Sequence, residues 1–177
     1  MKQIIVALAG QPNVGKSSLI NAISNAKLRV GNFSGVTVDK TEVVFNICDD
    51  VTCKDYEVHI IDLPGAYSLT EYTIEEKVTK SFLQSDEYDI IVNVVDSTNL
   101  QRNLLFTTQL LETGKKVVVA LNMNDEAQNE GIEIDEKQLS AILGVPCIKT
   151  SATTQEGIEA LKDAIVEVFE KKRLQQK

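Results

Sequence analysis

Gly10-Gln11-Pro12-Asn13-Val14-Gly15-Lys16-Ser17 is the stretch of sequence on which the fold prediction depends, and it matches the pattern G-x-x-x-x-G-K-[ST] in full. An apolar run at residues 4–8 precedes it and predicts a short β-strand. Residues 18–26 follow with apolar side chains at helical spacing. A strand, a glycine loop and a helix in this order predict a phosphate-binding loop, because backbone N–H groups and the helix N-terminus both face the anion.

Two side chains of this loop carry the chemistry that a phosphate site needs. Lys16 supplies a positive charge for the outer phosphates of a nucleotide, and the Ser17 hydroxyl is placed to bind Mg²⁺. The sequence predicts nucleotide contacts along one continuous segment, which consists of Gly10, Gln11, Pro12, Asn13, Val14, Gly15, Lys16, Ser17 and Ser18.

The composition of the chain is that of one soluble globular domain. The chain has 177 residues, 43% hydrophobic and 25% charged, with a formal net charge of −8. This acidic balance disfavours the broad basic face that nucleic-acid binding needs, so we expect no nucleic-acid partner. Three cysteines are few and odd in number, which is typical of reduced thiols in a cytoplasm. The sequence contains no signal-peptide pattern and no long apolar run, so we expect this segment not to cross a membrane.

Predicted strands and helices alternate along the chain. Strands are predicted at 4–8, 39–47, 56–61, 90–95, 115–122 and 145–150, and helices at 18–26, 74–83, 99–111, 135–143 and 155–172. Residues 27–38 show neither period and contain two glycines, which predicts a loop. The pattern predicts an α/β fold with a mostly parallel six-stranded sheet, one antiparallel strand and helices on both faces.

Two segments have the spacing of nucleotide-dependent switches. Thr37 lies 21 residues after Lys16 in the predicted loop, where a threonine hydroxyl completes a Mg²⁺ shell while a γ-phosphate is present. Asp62 ends a predicted strand; its carboxylate can hold Mg²⁺ through water, and the N–H of Gly65 can reach the γ-phosphate. The predicted contacts of these segments are Gly35, Val36, Thr37, Val38, Asp62, Leu63, Pro64 and Gly65.

Two later motifs predict recognition of guanine. In Asn122-Met123-Asn124-Asp125, the Asp125 carboxylate can accept hydrogen bonds from the guanine N1–H and exocyclic amine, which adenine does not offer. Met123 stands where the usual pattern has lysine, and its thioether can pack on the base. In Ser151-Ala152-Thr153, the N–H of Ala152 can donate to the guanine O6. The predicted base contacts are Asn122, Met123, Asp125, Ser151, Ala152 and Thr153.

With these motifs in view, the chain resembles the G domains of the translation-factor class of GTPases. It closely resembles one family, the cytoplasmic N-terminal G domains of ferrous iron transport protein B (FeoB), over essentially its whole length. The similarity is carried by the phosphate loop and by residues 30–39, 62–69, 93–96, 99–104 and 120–125. The chain departs from the family at Ser34, where proline is common, and at Asp39, where glutamate is common.

The resemblance implies a P-loop GTPase fold, with a G domain over residues 1–172 and a frayed tail at 173–177. The family continues into a helical domain and a membrane domain, both absent here, so we expect one domain of a longer ferrous iron transporter. This domain would lie at the cytoplasmic face of the cell membrane. Its partners would be GTP and the rest of the transporter, with oligomers possible through the membrane portion.

The resemblance also implies slow hydrolysis of GTP to GDP and phosphate, with Mg²⁺ held by Ser17, Thr37 and Asp62. Similarity to potassium-activated GTPases implies a K⁺ ion at Asn13, although asparagine is also an ordinary turn residue. Ala66 stands where Ras-like enzymes have the glutamine that orients water, so backbone or another side chain must do so. The residues expected to serve catalysis are Asn13, Lys16, Thr37 and Gly65.

Two other functions are left open by the sequence. A guanine-nucleotide sensor with negligible hydrolysis is compatible with Ala66, and an Era-like ribosome-assembly GTPase has the same motifs. Outside these motifs, we expect Cys48 and Cys53 to be ordinary reduced thiols rather than half of a soft-metal site. We expect His59 to be a packed or surface residue rather than a base.

Overall fold

The computed structural model of the protein describes residues 1–23, 27–50 and 53–171. In chain order its elements are β1 (Lys2–Gly10), α1 (Lys16–Ile23), β2 (Lys27–Asn32), β3 (Asp39–Asp49), β4 (Lys54–Asp62), α2 (Ile74–Gln84), β5 (Ile90–Asp96), α3 (Leu100–Glu112), β6 (Lys116–Asn122), α4 (Asn124–Asn129), α5 (Glu136–Leu143), β7 (Cys147–Lys149) and α6 (Ile158–Glu170). A single 3₁₀ turn, Ser97–Asn99, joins β5 to α3.

The strands form one sheet in the order β2-β3-β4-β1-β5-β6-β7. β1 lies at the centre and is parallel to both β4 and β5, and β6 and β7 continue the parallel arrangement. β3 is antiparallel to both of its neighbours, β2 and β4. The predicted α/β class, with a mostly parallel sheet and one antiparallel strand, is confirmed.

The predicted strand count was wrong by one, because β2 forms where the sequence predicted a loop. This strand pairs with β3 from Lys27 opposite Val44 to Asn32 opposite Asp39. It lies at the edge of the sheet, and its alternation of Leu28 and Val30 ends at Gly31, which is too short a pattern to predict a strand. The other predicted strands are all present, with ends shifted by a few residues.

The helices also follow the prediction, apart from one additional helix and shifts of up to three residues at the described helix ends. The short polar helix α4 was not predicted, and α6 begins at Ile158 instead of residue 155. The last three residues of the predicted first helix (24–26) and the predicted tail at 173–177 lie outside the described residues. In the described part of the chain, no helix is long and apolar enough to cross a membrane.

Helices cover both faces of the sheet and create two apolar cores. α1 and α6 pack on one face, where Leu19 and Ile165 are fully buried. α2 and α3 pack on the other face through residues such as Phe82 and Phe106, with α5 at the edge of the same cluster. Because both faces are covered, β5 and β6 are buried along almost their whole length.

A buried polar contact supports the end of β1, directly before the phosphate loop. Asn93 in β5 is 1% exposed and donates from Nδ2 to the carbonyl of Ala9 at 3.3 Å. Its Oδ1 accepts a hydrogen bond of 2.6 Å from the Thr107 hydroxyl in α3. Gln11 adds a second link, since its Nε2 donates to the Arg102 carbonyl at 3.0 Å. The start of the loop is therefore anchored to β5 and α3 by side chains.

Candidate functional site

The predicted phosphate loop forms a cradle at the carboxyl end of β1. The chain turns after Gly10, and α1 begins at Lys16, so the helix N-terminus faces the loop. A cavity of about 510 Å³ lies here, lined by Pro12, Asn13, Val14, Gly15, Lys16, Ser17, Ser18 and Gly65. The structure thus brings almost the whole predicted loop together with Gly65 from the second switch segment.

Gly15 occupies a position in the cradle that only glycine satisfies. Its φ angle is +82°, and a Cβ atom there would lie 2.6 Å from Nδ2 of Asn122. Any side chain would push the Asn122 amide away from the loop. The glycine therefore allows the loop and the strand end of β6 to approach each other closely.

Lys16 and Asp62, the two charged residues predicted for the phosphate and Mg²⁺ sites, form an ion pair. Lys16 Nζ lies 3.0 Å from Oδ1 of Asp62, and it also donates to the Leu63 carbonyl. The side chain of Lys16 is 11% exposed and that of Asp62 is 24% exposed. The pair supplies an ammonium and a carboxylate, and Ser17, which lines the cavity together with Lys16, supplies a hydroxyl. These are the groups expected at a Mg²⁺–phosphate site.

The segment after Asp62 is held against the phosphate loop by backbone hydrogen bonds. The N–H of Leu63 donates to the Leu8 carbonyl at 3.0 Å, and that of Ala66 donates to the Gly10 carbonyl at 3.1 Å. The Pro64 carbonyl accepts from the Thr79 hydroxyl of α2 at 3.1 Å. Ala66 is 1% exposed and carries no group that could orient a water molecule.

Thr37 does not line the cradle. It is exposed in the loop between β2 and β3, in a groove of about 670 Å³ formed by residues 32–37 and Ile74. Gly35 and Val36 are exposed in the same loop, and Val38 is half-buried. The loop is anchored by Phe33, whose ring packs edge-on against Phe82 with centroids 5.9 Å apart. Thr37 therefore lines a different cavity from the one that Lys16, Ser17 and Gly65 line.

Asn122 joins the base side of the site to the phosphate side. Its Nδ2 donates to the Val14 carbonyl at 2.9 Å, and its Oδ1 accepts from the Thr150 hydroxyl at 3.1 Å. Asn122 is 1% exposed, so both contacts are buried. One side chain therefore ties the phosphate loop to the segment that begins at Ser151.

The remaining predicted base contacts surround this anchor. Met123 is half-buried and has a left-handed backbone with φ of +61°, which turns the chain into α4. Asp125 is half-buried in the first turn of α4. Ser151 is fully buried, Ala152 is half-buried and Thr153 is exposed. All of them lie beyond the carboxyl ends of β6 and β7, where ligands bind in open parallel sheets.

A family model described as ferrous iron transport protein B matches residues 4–165. The chain belongs to the FeoB family. The Fe(2+) transporter FeoB of Helicobacter pylori strain J99 is 59% identical over 172 residues, which are 96% of this chain and 26% of that protein. The chain thus spans about a quarter of the length of the curated relatives it matches.

Solved FeoB structures share the fold of the chain. The G domain of the T. maritima FeoB iron transporter matches with a TM-score of 0.85 and 43% identity, covering 94% of this chain and 98% of that one. The cytosolic domain of the same transporter in a GDP form matches with a TM-score of 0.90 and 42% identity, covering 97% of this chain and 65% of that one. This FeoB-family chain is therefore a G domain with the P-loop GTPase fold.

In this FeoB-family G domain, several residues support the site although the sequence did not predict a role for them there. They are Asn93 and Thr107 behind the phosphate loop, and Thr150, Asn124, Glu156 and Gly157 around the base side. Gly157 gives the clearest signal, since a glycine directly before the apolar period of α6 marks a helix start. Asn93 and Asn124 lie in segments that carry the family similarity, but a single sequence does not reveal the contacts of these or the remaining residues, because their partners are distant in the chain.

The cysteines add no metal centre among the residues that the structure describes. Cys48 and Cys53 are exposed free thiols, and Cys147 is buried. The pKa of Cys48 is raised, first by its hydrogen bond to Asp55 and by the charge of that carboxylate. Burial raises the pKa of Cys147 to about 11. Within the described ranges, no group of three or more histidine, cysteine or acidic side chains could hold a metal ion.

Proposed function

We propose that this FeoB-family G domain binds GTP and GDP with Mg²⁺ and hydrolyses GTP slowly, with stimulation by K⁺. The observation that carries the proposal is the bridge made by Asn122 between the Val14 carbonyl and the Thr150 hydroxyl. This bridge makes the phosphate cradle and the base-side motifs parts of one site. The cytosolic domain of T. maritima FeoB, 42–43% identical to this chain, has been solved in GDP and GMPPNP forms, which supports guanine-nucleotide binding.

The oxygen donors of the three predicted Mg²⁺ ligands fit this ion. Ser17 and Thr37 offer hydroxyl oxygens and Asp62 a carboxylate, and hard oxygen donors are what this ion prefers. Mg²⁺ would neutralise charge that develops on the phosphates. Thr37 does not line the cradle in this structure, so its loop would have to move for the hydroxyl to join this set.

Four residues would serve hydrolysis by positioning and charge, without covalent catalysis. Lys16 would exchange its contact with Asp62 for the outer phosphates, and the N–H of Gly65 would donate to the γ-phosphate. Asn13, exposed at the mouth of the cradle, would hold K⁺ where other GTPases place an arginine. Thr37 would contribute its hydroxyl to the Mg²⁺ shell. Since Ala66 is buried and apolar, backbone groups would orient the water.

We further propose that residues 1–172 form the G domain of a longer ferrous iron transporter and regulate it from the cytoplasmic face of the cell membrane. FeoB membership favours this role over an Era-like ribosome-assembly GTPase. The partners would be the helical and membrane domains of that transporter, with any oligomer formed through the membrane portion. The net charge of −8 is consistent with no nucleic-acid partner.

Guanine binding is tested by measuring the affinity of the domain for GDP, GTP and ATP by titration calorimetry with Mg²⁺. We expect GDP and GTP to bind and ATP to bind far more weakly. Replacing Asp125 by alanine should weaken GDP on the order of a hundredfold, because two charge-assisted hydrogen bonds are lost. The matched control is Glu126→Ala, which removes the neighbouring exposed carboxylate and should change little. Equal affinities for GTP and ATP would contradict the proposal.

A further inference from the structure

The segment after β7 forms a closed loop around the predicted O6 donor. The N–H of Ser151 donates to the Glu156 carbonyl at 3.0 Å, which closes the loop at its base. Inside it, the N–H of Thr154 donates to the Ser151 hydroxyl at 3.3 Å, and Nε2 of Gln155 donates to the Ala152 carbonyl at 3.0 Å. The backbone on both sides of the Ala152 N–H is therefore restrained.

The side chain of Glu156 fastens this loop to the neighbouring base-recognition motif. Nδ2 of Asn124 lies 3.1 Å from both carboxylate oxygens of Glu156. Asn124 is 3% exposed, and its backbone N–H donates to the Thr150 carbonyl at 3.1 Å. The backbone of Asn124 is therefore held in place independently of the side-chain contact with Glu156. A charged acceptor makes such a contact stronger than a neutral pair.

This contact joins the chain segments that carry the two groups that would read the base. Asn124 is the residue directly before Asp125, which faces the N1–H and amine of guanine in the proposed function. Glu156 closes the loop that carries the N–H of Ala152. Without the side-chain contact, the loop keeps its internal hydrogen bonds but loses a direct tie to α4.

We propose that Asn124 and Glu156 are positioning residues that hold the Ala152 N–H in place for the 6-oxo group of guanine. This inference rests on the proposed function, since it assigns a role within the guanine site. The proposed role concerns only the edge of guanine that carries the 6-oxo group. Recognition of the 2-amino group by Asp125 would not depend on Glu156.

Base analogues separate the two edges in the test. The affinities of the whole chain for GDP, 6-thio-GDP and IDP would be measured by calorimetry in the presence of Mg²⁺. The wild type and Glu156→Ala would be compared. Sulfur accepts a hydrogen bond poorly, so 6-thio-GDP reports the Ala152 contact, whereas IDP lacks the amine that Asp125 would read. We expect Glu156→Ala to reduce the preference for GDP over 6-thio-GDP by about fivefold, the value of one hydrogen bond, and to leave the preference for GDP over IDP unchanged.

Three further variants keep the result interpretable. Asn124→Ala should reduce the same preference by the same factor, and the double variant should show no additional loss. Glu156→Gln keeps one acceptor oxygen for Asn124 and should fall between the wild type and Glu156→Ala, which also serves if Glu156→Ala folds poorly. Glu159→Ala removes an exposed carboxylate three residues further along and should match the wild type.

The outcomes distinguish this inference from the proposed function. If the wild type prefers GDP over 6-thio-GDP and neither Glu156 variant changes that preference, the positioning role is wrong while guanine binding stands. If Glu156→Ala lowers the preferences over 6-thio-GDP and IDP equally, the contact is a general structural support and the inference also fails. If the wild type binds no guanine nucleotide, the proposed function itself is wrong.

Discussion

Gly157 occupies a position at which no side chain fits. Its φ angle is +73°, and a Cβ atom would overlap the Lys149 carbonyl oxygen, a clash that only a backbone shift could relieve. The glycine follows the loop of residues 151–156 and is the residue directly before α6. A single residue therefore fixes how the loop returns to the helix.

We predict that Gly157→Ala lowers the free energy of unfolding by about 3 kcal/mol or more, since left-handed strain and a backbone clash add. The matched control is Gly144→Ala, where φ is +74° but a Cβ atom would meet nothing within 4 Å. That control should cost only about 1 kcal/mol. Urea denaturation of both variants gives the comparison. Equal losses would show that the Lys149 contact is easily relieved.

At the level of elements, a histidine between two carboxylates links strands β3 and β4 outside the candidate nucleotide site. Nδ1 of His59 in β4 lies 2.6 Å from Oε1 of Glu42 in β3, and Nε2 lies 2.6 Å from Oε1 of Glu57. From β1, Nε2 of Gln3 donates to the same Glu57 oxygen at 3.3 Å. Burial alone would lower the pKa of His59, but the hydrogen bonds to Glu42 and Glu57 outweigh it and raise the pKa above its ordinary value.

A raised pKa in the folded state means that protonated His59 stabilises the fold. This contribution should be complete below the ordinary value of 6.5 and should be lost as the pH rises through the folded-state pKa. We predict that His59→Gln destabilises the protein more at pH 6 than at pH 9, measured as the difference in unfolding free energy from wild type. His59 is the single histidine of the chain, so no other imidazole contributes. A difference that stays constant with pH would refute the account.

The elements that the sequence predicted are those with a strong apolar period or a motif. β5 and β6 are continuous apolar runs, and α2 combines apolar spacing with a cap, in which the Thr73 hydroxyl accepts from the Glu76 N–H at 3.0 Å. β2 and α4 lack such signals. β2 depends on pairing with β3, and α4 is a polar turn that starts from the left-handed Met123.

The residues of the candidate site also fall into those that a motif indicates and those that no motif indicates. Residues 10–17, Asp62 and Asp125 could be named as candidates from the sequence, because phosphate and base chemistry requires those residue types at those spacings. The supporting contacts were not, because Asn124 and Glu156 are 32 residues apart and only the fold brings them together. A single sequence therefore reveals the candidate ligand-contacting groups more readily than it reveals the residues that hold those groups in position.

For the whole molecule, the proposed function makes the domain a K⁺-stimulated GTPase rather than a silent nucleotide sensor. The cradle is formed, with Lys16 paired to Asp62, while Thr37 lines a separate groove formed by residues 32–37 and Ile74. Hydrolysis would therefore require the loop of residues 33–38 to move onto the bound nucleotide. Since Ala66 offers no polar group, the rate should depend on positive charge near Asn13.

The most direct test is the rate of phosphate release from GTP with Mg²⁺, compared in KCl and NaCl at equal ionic strength. We predict a rate about tenfold or more higher in KCl, because one added positive charge stabilises the transition state. Asn13→Ala should abolish the difference, whereas Asn129→Ala, an exposed asparagine at the end of α4, should keep it. Equal rates near zero in both salts, with GTP still bound, would contradict the catalytic claim and leave a guanine-nucleotide sensor.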